Sequence, residues 1–463
     1  MNAMDAVTEL KKALEAGNYD AAPSTLTQGA ALQIEDCSPV MNNVTFDESH
    51  IKLQKIVGTS SCKATLYQFD RQLSYGIFGG SAQLEGQVGQ EETSDFVRVT
   101  VPMAFYSHVR RVTIASTMVA TVDGKKSDER AAADAAKKIA GDIEFDSFRG
   151  IDDFSNAGVF DGNPFAVPAL PNIHGLGLQV RQSDMQVNSR DLMFSEFGSD
   201  DSVVLSGGGT LDQGKVEDAA VRSALNFGTA NRLLVDPIVL SAYNKLVIGK
   251  ERVILAGSPQ DSTGGDLRKQ WVSGGTVNIE ASQFLRGKSK PARTRANSPT
   301  APTLGIANSA GGALAAGVYT FYVTSFNENG ESPASASIAS ASVNLNDKIT
   351  LTITPPGSGT VRGYNVYRTN AGGAASSAKF VGRVISAVSG NTTFLDLGNK
   401  LPGFVTGYLI QGDTMELKEL APYSRVKLAV SDLSIPEAHL RFLTLAVVEP
   451  RKNVLIDNLR GQL

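Results

Sequence analysis

Alternation of apolar and polar residues recurs along the chain and predicts strands before anything else. In "KATLYQFDR", Tyr67 and Phe69 share one face; in "FVRVTV", Val97, Val99 and Val101 share one face with Arg98 and Thr100 opposite. Successive side chains point to opposite sides of a strand, so both windows read as strands. Between them lies "QLSYGIFGGSAQLEGQVGQEETSD", rich in Gly and far longer than a tight hairpin needs. A loop of that length in a compact domain is functional or packs on a neighbour.

Helical spacing is rarer. Val7, Leu10 and Leu14 predict a short amphipathic helix stopped by Gly17, and residues 18–60 then lack either period and read as an extended arm. Ser127 reads as an N-cap, with Asp128 and Glu129 in the positive first turn. The helix that follows, to about Phe148, carries a narrow stripe of Ala132, Ala136, Ile139 and Ile143 and so packs closely on a flat partner, most simply a sheet. In "KVEDAAVRSALNFG" the stripe is Val216, Ala220, Ala224 and Phe227, stopped by Gly228. "TANRLLVDPIVLSAYNKL" gives a buried strand, a boundary at Pro237 and a short helix, an α+β alternation.

From residue 297 to 403 the pattern becomes wholly β. "GVYTFYVTSFNENGESPASAS", "KITLTIT" with Ile349, Leu351 and Ile353 on one face, "RGYNVYRT", "KFVGRVI" and "TTFLDL" are short strands at the intervals of an immunoglobulin-like sandwich. There is no Cys…Trp…Cys spacing, so the likeness is to fibronectin type III. The chain then continues through "YSRVKLAVSD" and "HLRFLTLAVVEPRKNVLIDNL", whose run Leu440 to Val448 reads as a strand buried on both faces. So short a tail cannot fold alone. It must complete a sheet begun earlier, which makes the sandwich an insertion.

Composition narrows the function. With 43 basic and 47 acidic residues, no global field drives the chain onto nucleic acid or an anionic membrane. Any such contact needs a local patch, and "FLRGKSKPARTRANSPTAPT" offers one in Arg286, Lys288, Lys290, Arg293 and Arg295, which also reads as an exposed linker. Cys37 and Cys62 make no zinc site and read as reduced thiols. The N-terminus has no apolar signal core and no run approaches membrane-spanning length, which points to a cytosolic compartment. His50, His108, His174 and His439 lack metal-ligand spacing; "GKS" at 287–289 lacks the earlier glycine of a phosphate loop, and "GLG" at 175–177 the third glycine of a dinucleotide site. The pairs Asp152/Asp153 and Asp200/Asp201 read as solvated. Neither an enzyme nor a cofactor is expected.

The order of elements (arm, long Gly-rich hairpin loop, long helix, α+β region, inserted sandwich, returning strand) resembles the major capsid proteins of tailed bacteriophages, the Hong Kong 97 type. The similarity is closest to contractile-tailed phages of the staphylococcal K type. It is carried by "NFGTA" at 226–230, "VYR" at 366–368, Leu401–Pro402 at the end of the insertion, and "AVVEPRKNVL" near the C-terminus. The resemblance implies an α+β capsid fold divided as follows: an N-terminal arm at 1–60, an extension-loop hairpin at 61–102, a core of peripheral and axial domains at 103–296 and 404–463, and an all-β immunoglobulin/fibronectin III-like insertion at 297–403. It implies self-assembly into hexamers and pentamers of an icosahedral head that encloses double-stranded DNA, contacted without sequence preference. The expected partners are other copies of the chain, a separate scaffolding protein, a portal protein, and minor capsid or decoration proteins, in a virion assembled in the host cytoplasm. Tyr75, Ile77, Phe78 and Leu84 on the loop, with Arg110 and Arg111, are the expected subunit contacts. Residues 64–97 contain no lysine, so the Lys–Asn cross-link of some relatives is not expected. The sandwich is expected on the outer face, where it bridges subunits or binds host sugars. A tail, baseplate or adhesin protein is the alternative reading; an encapsulin and an enzyme with a binding module stand behind it.

Overall fold

The computed structural model of the chain describes residues 47–74, 82–89, 91–118, 126–149, 173–181, 202–248, 269–286, 297–307, 312–327, 330–359, 361–387, 389–398, 400–430 and 433–461. Before the sandwich come α1 (Leu53–Ile56), β1 (Gly58–Ser61), β2 (Leu66–Ser74), β3 (Asp95–Pro102), β4 (Ala104–Thr113), α2 (Ile114–Met118), α3 (Ser127–Arg149), α4 (Leu176–Arg181), β5 (Val203–Leu205), α5 (Gln213–Leu225), β6 (Arg232–Val235), α6 (Pro237–Ile248), β7 (Lys269–Val272) and β8 (Gly275–Ala281). The sandwich region holds β9 (Thr303–Ala307), β10 (Thr320–Asn327), β11 (Gly330–Glu331), β12 (Ile338–Ala339), β13 (Lys348–Ile353), β14 (Gly363–Arg368), β15 (Lys379–Ile385) and β16 (Thr392–Asp396). After it come β17 (Val405–Ile410), β18 (Met415–Lys427), β19 (Ser434–Val447) and β20 (Val454–Leu459).

Segments from before and after the sandwich meet in two sheets. One runs β1-β18-β19-β4 and the other β5-β20-β17-β6-β8-β7. Strands on either side of the sandwich in sequence are therefore neighbours in space, as the apolar tail required. From Leu443 to Val447, β19 is buried at every position. Period-two patterning fails there because neither face of the strand meets water.

Helix α3 lies across the first sheet through Ile139, Ile143 and Phe148, which join one core with Tyr106, Leu443 and Leu445; Ala135 of the helix is buried as well. Each large side chain sealed this way contributes roughly 1.5–3 kcal/mol. The expected stripe is corrected at its start: Ala132 and Ala136 are only half-buried and Ala135 takes the inner position. Ser127 is not the N-cap either; it is the first helical residue, and its hydroxyl donates to the Ser116 carbonyl at 2.8 Å. Residues 47–60, expected to belong to an arm, enter the core through Leu53 and Val57. Glu144 of α3 explains how: its carboxylate accepts the backbone N–H groups of Lys52, Leu53 and Gln54 at 2.9, 2.7 and 3.1 Å. These are donors that the first turn of a helix cannot satisfy internally.

The second sheet is covered by α5 and α6 through Val216, Ala219, Val239 and Tyr243. Asp212 caps α5, accepting the Lys215 N–H at 2.8 Å. The expected stripe overran the helix end. Ala224 is exposed, and Phe227 is 80% exposed with a left-handed φ of 59°. Gly228 then bonds back to the Ser223 carbonyl at 2.8 Å, so close that a Cβ there would overlap it. Pro237 opens α6 as predicted.

In the sandwich region, β11-β10-β14-β15 and β16-β13-β9 are two antiparallel sheets. Phe321, Val323, Tyr364 and Val366 of one share a core with Ile349, Leu351, Ile353 and Phe394 of the other. Inside it Arg368 pairs with Asp396, at 4% and 2% exposure, and lies over the Tyr319 ring.

Candidate functional site

The β2–β3 hairpin is the first region whose surface asks for a partner. Its strands pair from Leu66 opposite Pro102 to Ser74 opposite Asp95, and Tyr67 stacks on Phe69 at 5.6 Å. Partway along, opposite Val97, Arg71 donates to the carbonyls of Val448 and Val447 at 2.9 and 3.2 Å. Burial lowers the pKa of this guanidinium to about 10, which leaves it charged at neutral pH. Apolar side chains are nonetheless exposed along the hairpin: Leu84 is 75% exposed, Val88 93%, and Phe96, opposite Gln72, 64%. Among the expected contact residues, Leu84 is therefore at the surface, while Tyr75, Ile77 and Phe78 fall outside the described residues.

A second apolar surface lies on the four-stranded sheet, on the side away from α3. Phe105 is 49% exposed and Val109 53%, and Phe105 meets Phe442 edge-on at 5.0 Å across the β4–β19 pair. Arg111 shares this face. Arg110, one residue earlier, points to the α3 side and is half-buried, directly opposite Glu437. The two arginines, both expected as subunit contacts, are thus on opposite faces, because neighbours in a strand cannot share one. Trp271, on the edge strand β7 of the second sheet, and Phe227, just past α5, are further exposed aromatics.

The sandwich joins the rest of the structure through its β10–β14–β15 sheet. Arg383 of β15 lies over Phe145 of α3 at 4.8 Å and over Phe326 of β10 at 3.6 Å. Behind Phe145, the buried Asp146 accepts a hydrogen bond from the Tyr106 hydroxyl at 2.8 Å. Burial raises the pKa of Asp146 to about 6, against the pull of Arg362 and Arg383 from the sandwich. On the return path the Leu401 N–H donates to Asn458 Oδ1 at 2.9 Å, and the Gly403 N–H to the Phe380 carbonyl at 2.8 Å. None of these joints had a local sequence signal.

Arg286 ends a short 3-10 turn, Gln283–Arg286, and Lys288, Lys290, Arg293 and Arg295 fall outside the described residues. Cys62 is half-exposed, and Cys37 lies outside. Among the described residues no group of three His, Cys, Asp or Glu side chains could hold a metal ion, and no helix is long and apolar enough to cross a membrane.

No protein-family model matches the chain, and no curated protein sequence does. Among solved structures, the capsid of a native GTA particle is similar at a TM-score of 0.46 and 9% identity, over 95% of this chain and 100% of that one. The mature capsid of bacteriophage PhiM1 is similar at 0.40 and 10%, over 95% of each chain. The SrpI encapsulin of Synechococcus elongatus PCC 7942 is similar at 0.37 and 9%, over 92% and 93%. All three scores lie below 0.5, so we rest the functional reading on the chain's own surfaces.

Proposed function

We propose that this protein is a shell subunit, a major capsid protein of the tailed-phage type, with a structural rather than a catalytic role. The observation that carries the reading is the hairpin: a β-ribbon tied to the rest of the structure by Arg71, partway along its strands, and presenting Leu84, Val88 and Phe96 to solvent. Exposed apolar side chains on an isolated ribbon are an aggregation liability unless a partner covers them. In a shell, a neighbouring copy does so. Thin walls need interfaces of several thousand Å² per subunit, and projecting ribbons supply them. The hexamer and pentamer arrangement, the outward position of the immunoglobulin-like unit, the staphylococcal K-type kinship, and the scaffold, portal and DNA contacts belong to the same proposal.

Electron microscopy of the expressed full chain, alone and with candidate scaffolding proteins, tests it. Closed large shells or hexamer sheets bearing knobs support the reading, and deleting 297–403 should then remove the knobs. Monomers or trimeric spikes under every condition overturn it in favour of a tail or adhesin protein; small cargo-filled shells overturn it in favour of an encapsulin.

A further inference from the structure

Two histidines face each other beneath helix α3. His439 of β19 pairs directly with His108 of β4, on the side of the sheet that carries the helix. His439 has no exposed surface. Its Nδ1 lies 2.8 Å from the Tyr423 hydroxyl, which is 3.3 Å from the Ala132 carbonyl of α3. Its Nε2 has no hydrogen-bond partner among the described residues. The Lys138 ammonium of α3 lies 3.3 Å from His108 Nδ1.

An ammonium can only donate, so the Lys138 contact requires an unprotonated His108 Nδ1. A protonated His439 donates at both nitrogens, and the Nε2 proton would be buried without an acceptor. Among the described residues, the charged groups around the pair are Arg110 on β4, Arg425 on β18, Glu437 on β19, and Asp128 and Lys138 on α3, with the Arg441–Glu419 ion pair further along the same face of the sheet. Glu437 favours a proton on His439, whereas Arg425 and Arg110 oppose it; burial opposes it most, and the net effect holds His439 below the usual imidazole value. Arg425 is already engaged by Glu437 and, at 3.5 Å, by Asp128, which ties β18 to the start of the helix.

We propose that the seat of α3 on the four-stranded sheet is an acid-sensitive latch, held shut by neutral His439 and His108 and loosened when they take up protons. This does not depend on the shell reading. The closed form binds fewer protons than the open one, so acid shifts the balance toward opening. For His439 the window lies below the ordinary imidazole value of 6.5, with a slope of up to about tenfold per pH unit for its one proton.

Hydrogen exchange of the full-length chain between pH 7.5 and 5.0, corrected for intrinsic rates, reads the latch. Protection across 127–140 should fall by up to about tenfold per pH unit below 6.5, while strands β13 and β14 hold theirs. His439→Gln should flatten that fall. Lys138→Met, which removes a cation and little packing, should flatten it in part and serves if the first variant does not fold. Unchanged protection of 127–140 in the wild type overturns the latch, and so does an equal fall in both variants.

Discussion

The sandwich and the β2–β3 hairpin are both β-structure, yet they dispose of their apolar residues in opposite ways. In the sandwich Phe321, Ile349, Leu351, Tyr364 and Phe394 have no exposed surface, and even a charge, Arg368, is sealed with its partner Asp396. In the hairpin, among the described side chains from Leu66 to Pro102, only Val101 at the base is buried. One region has a second sheet to close on; the other has a single layer. A single layer with an apolar tip is complete only when something else lies on it. Within one chain, the self-sufficient unit is the one that looks like an accessory, and the unfinished one is the one we assign to assembly.

The comparison can be broken first inside the sandwich. Arg368→Met leaves the buried Asp396 carboxylate without its cation, with the Gly398 N–H still donating to it at 3.0 Å, and should cost about 3–5 kcal/mol in the sandwich's transition in urea. Adding Asp396→Leu should recover much of that loss. A single-variant cost well under 1 kcal/mol would mean that this core is not sealed as described.

The joint between the sandwich and α3 should respond to pH. The folded state holds Asp146 at about 6, above the ordinary carboxylate value of 3.8. The contribution of Asp146 is therefore present at low pH and lost as pH rises from about 4 through 6. Asp146→Asn keeps the side chain neutral, so its stability should gain on the wild type between pH 4 and 7, by roughly 1–3 kcal/mol. A stability difference that stays constant across that range would contradict the buried carboxylate.

Much of the sandwich was legible because period-two alternation is a local signal. Ile349, Leu351 and Ile353 fell on its inner face as read, and the Lys379–Ile385 strand kept its bounds. The return of the C-terminal strands was legible too, from an apolar run too short to fold by itself. Phe227 was misread because helical spacing continues past the point where the backbone turns left-handed; the stop is visible only in Gly228's approach to Ser223. Ser127 shows the same weakness at a helix start, where several residues can cap and the fold selects one. Arg71 on the Val447 and Val448 carbonyls, Glu144 on the α1 amides, and His439 against His108 join residues roughly 90 to 380 positions apart. Such pairs leave no periodicity to read. Of the exposed apolar residues, Leu84 was singled out from sequence, whereas Phe105 and Val109 were not.

The smallest effect on stability should accompany the largest effect on association. Exposed hairpin positions contribute little to the isolated subunit, so Leu84→Asp with Val88→Asp should leave its melting within about 0.5 kcal/mol of wild type. Sedimentation velocity of this double variant beside the wild type, under conditions where the wild type assembles, is the most direct test of the assembly reading. The account predicts large assemblies for the wild type and unassembled, folded subunits for the variant. Equal assembly by both chains would contradict the claim that the hairpin tip is covered by a neighbouring copy.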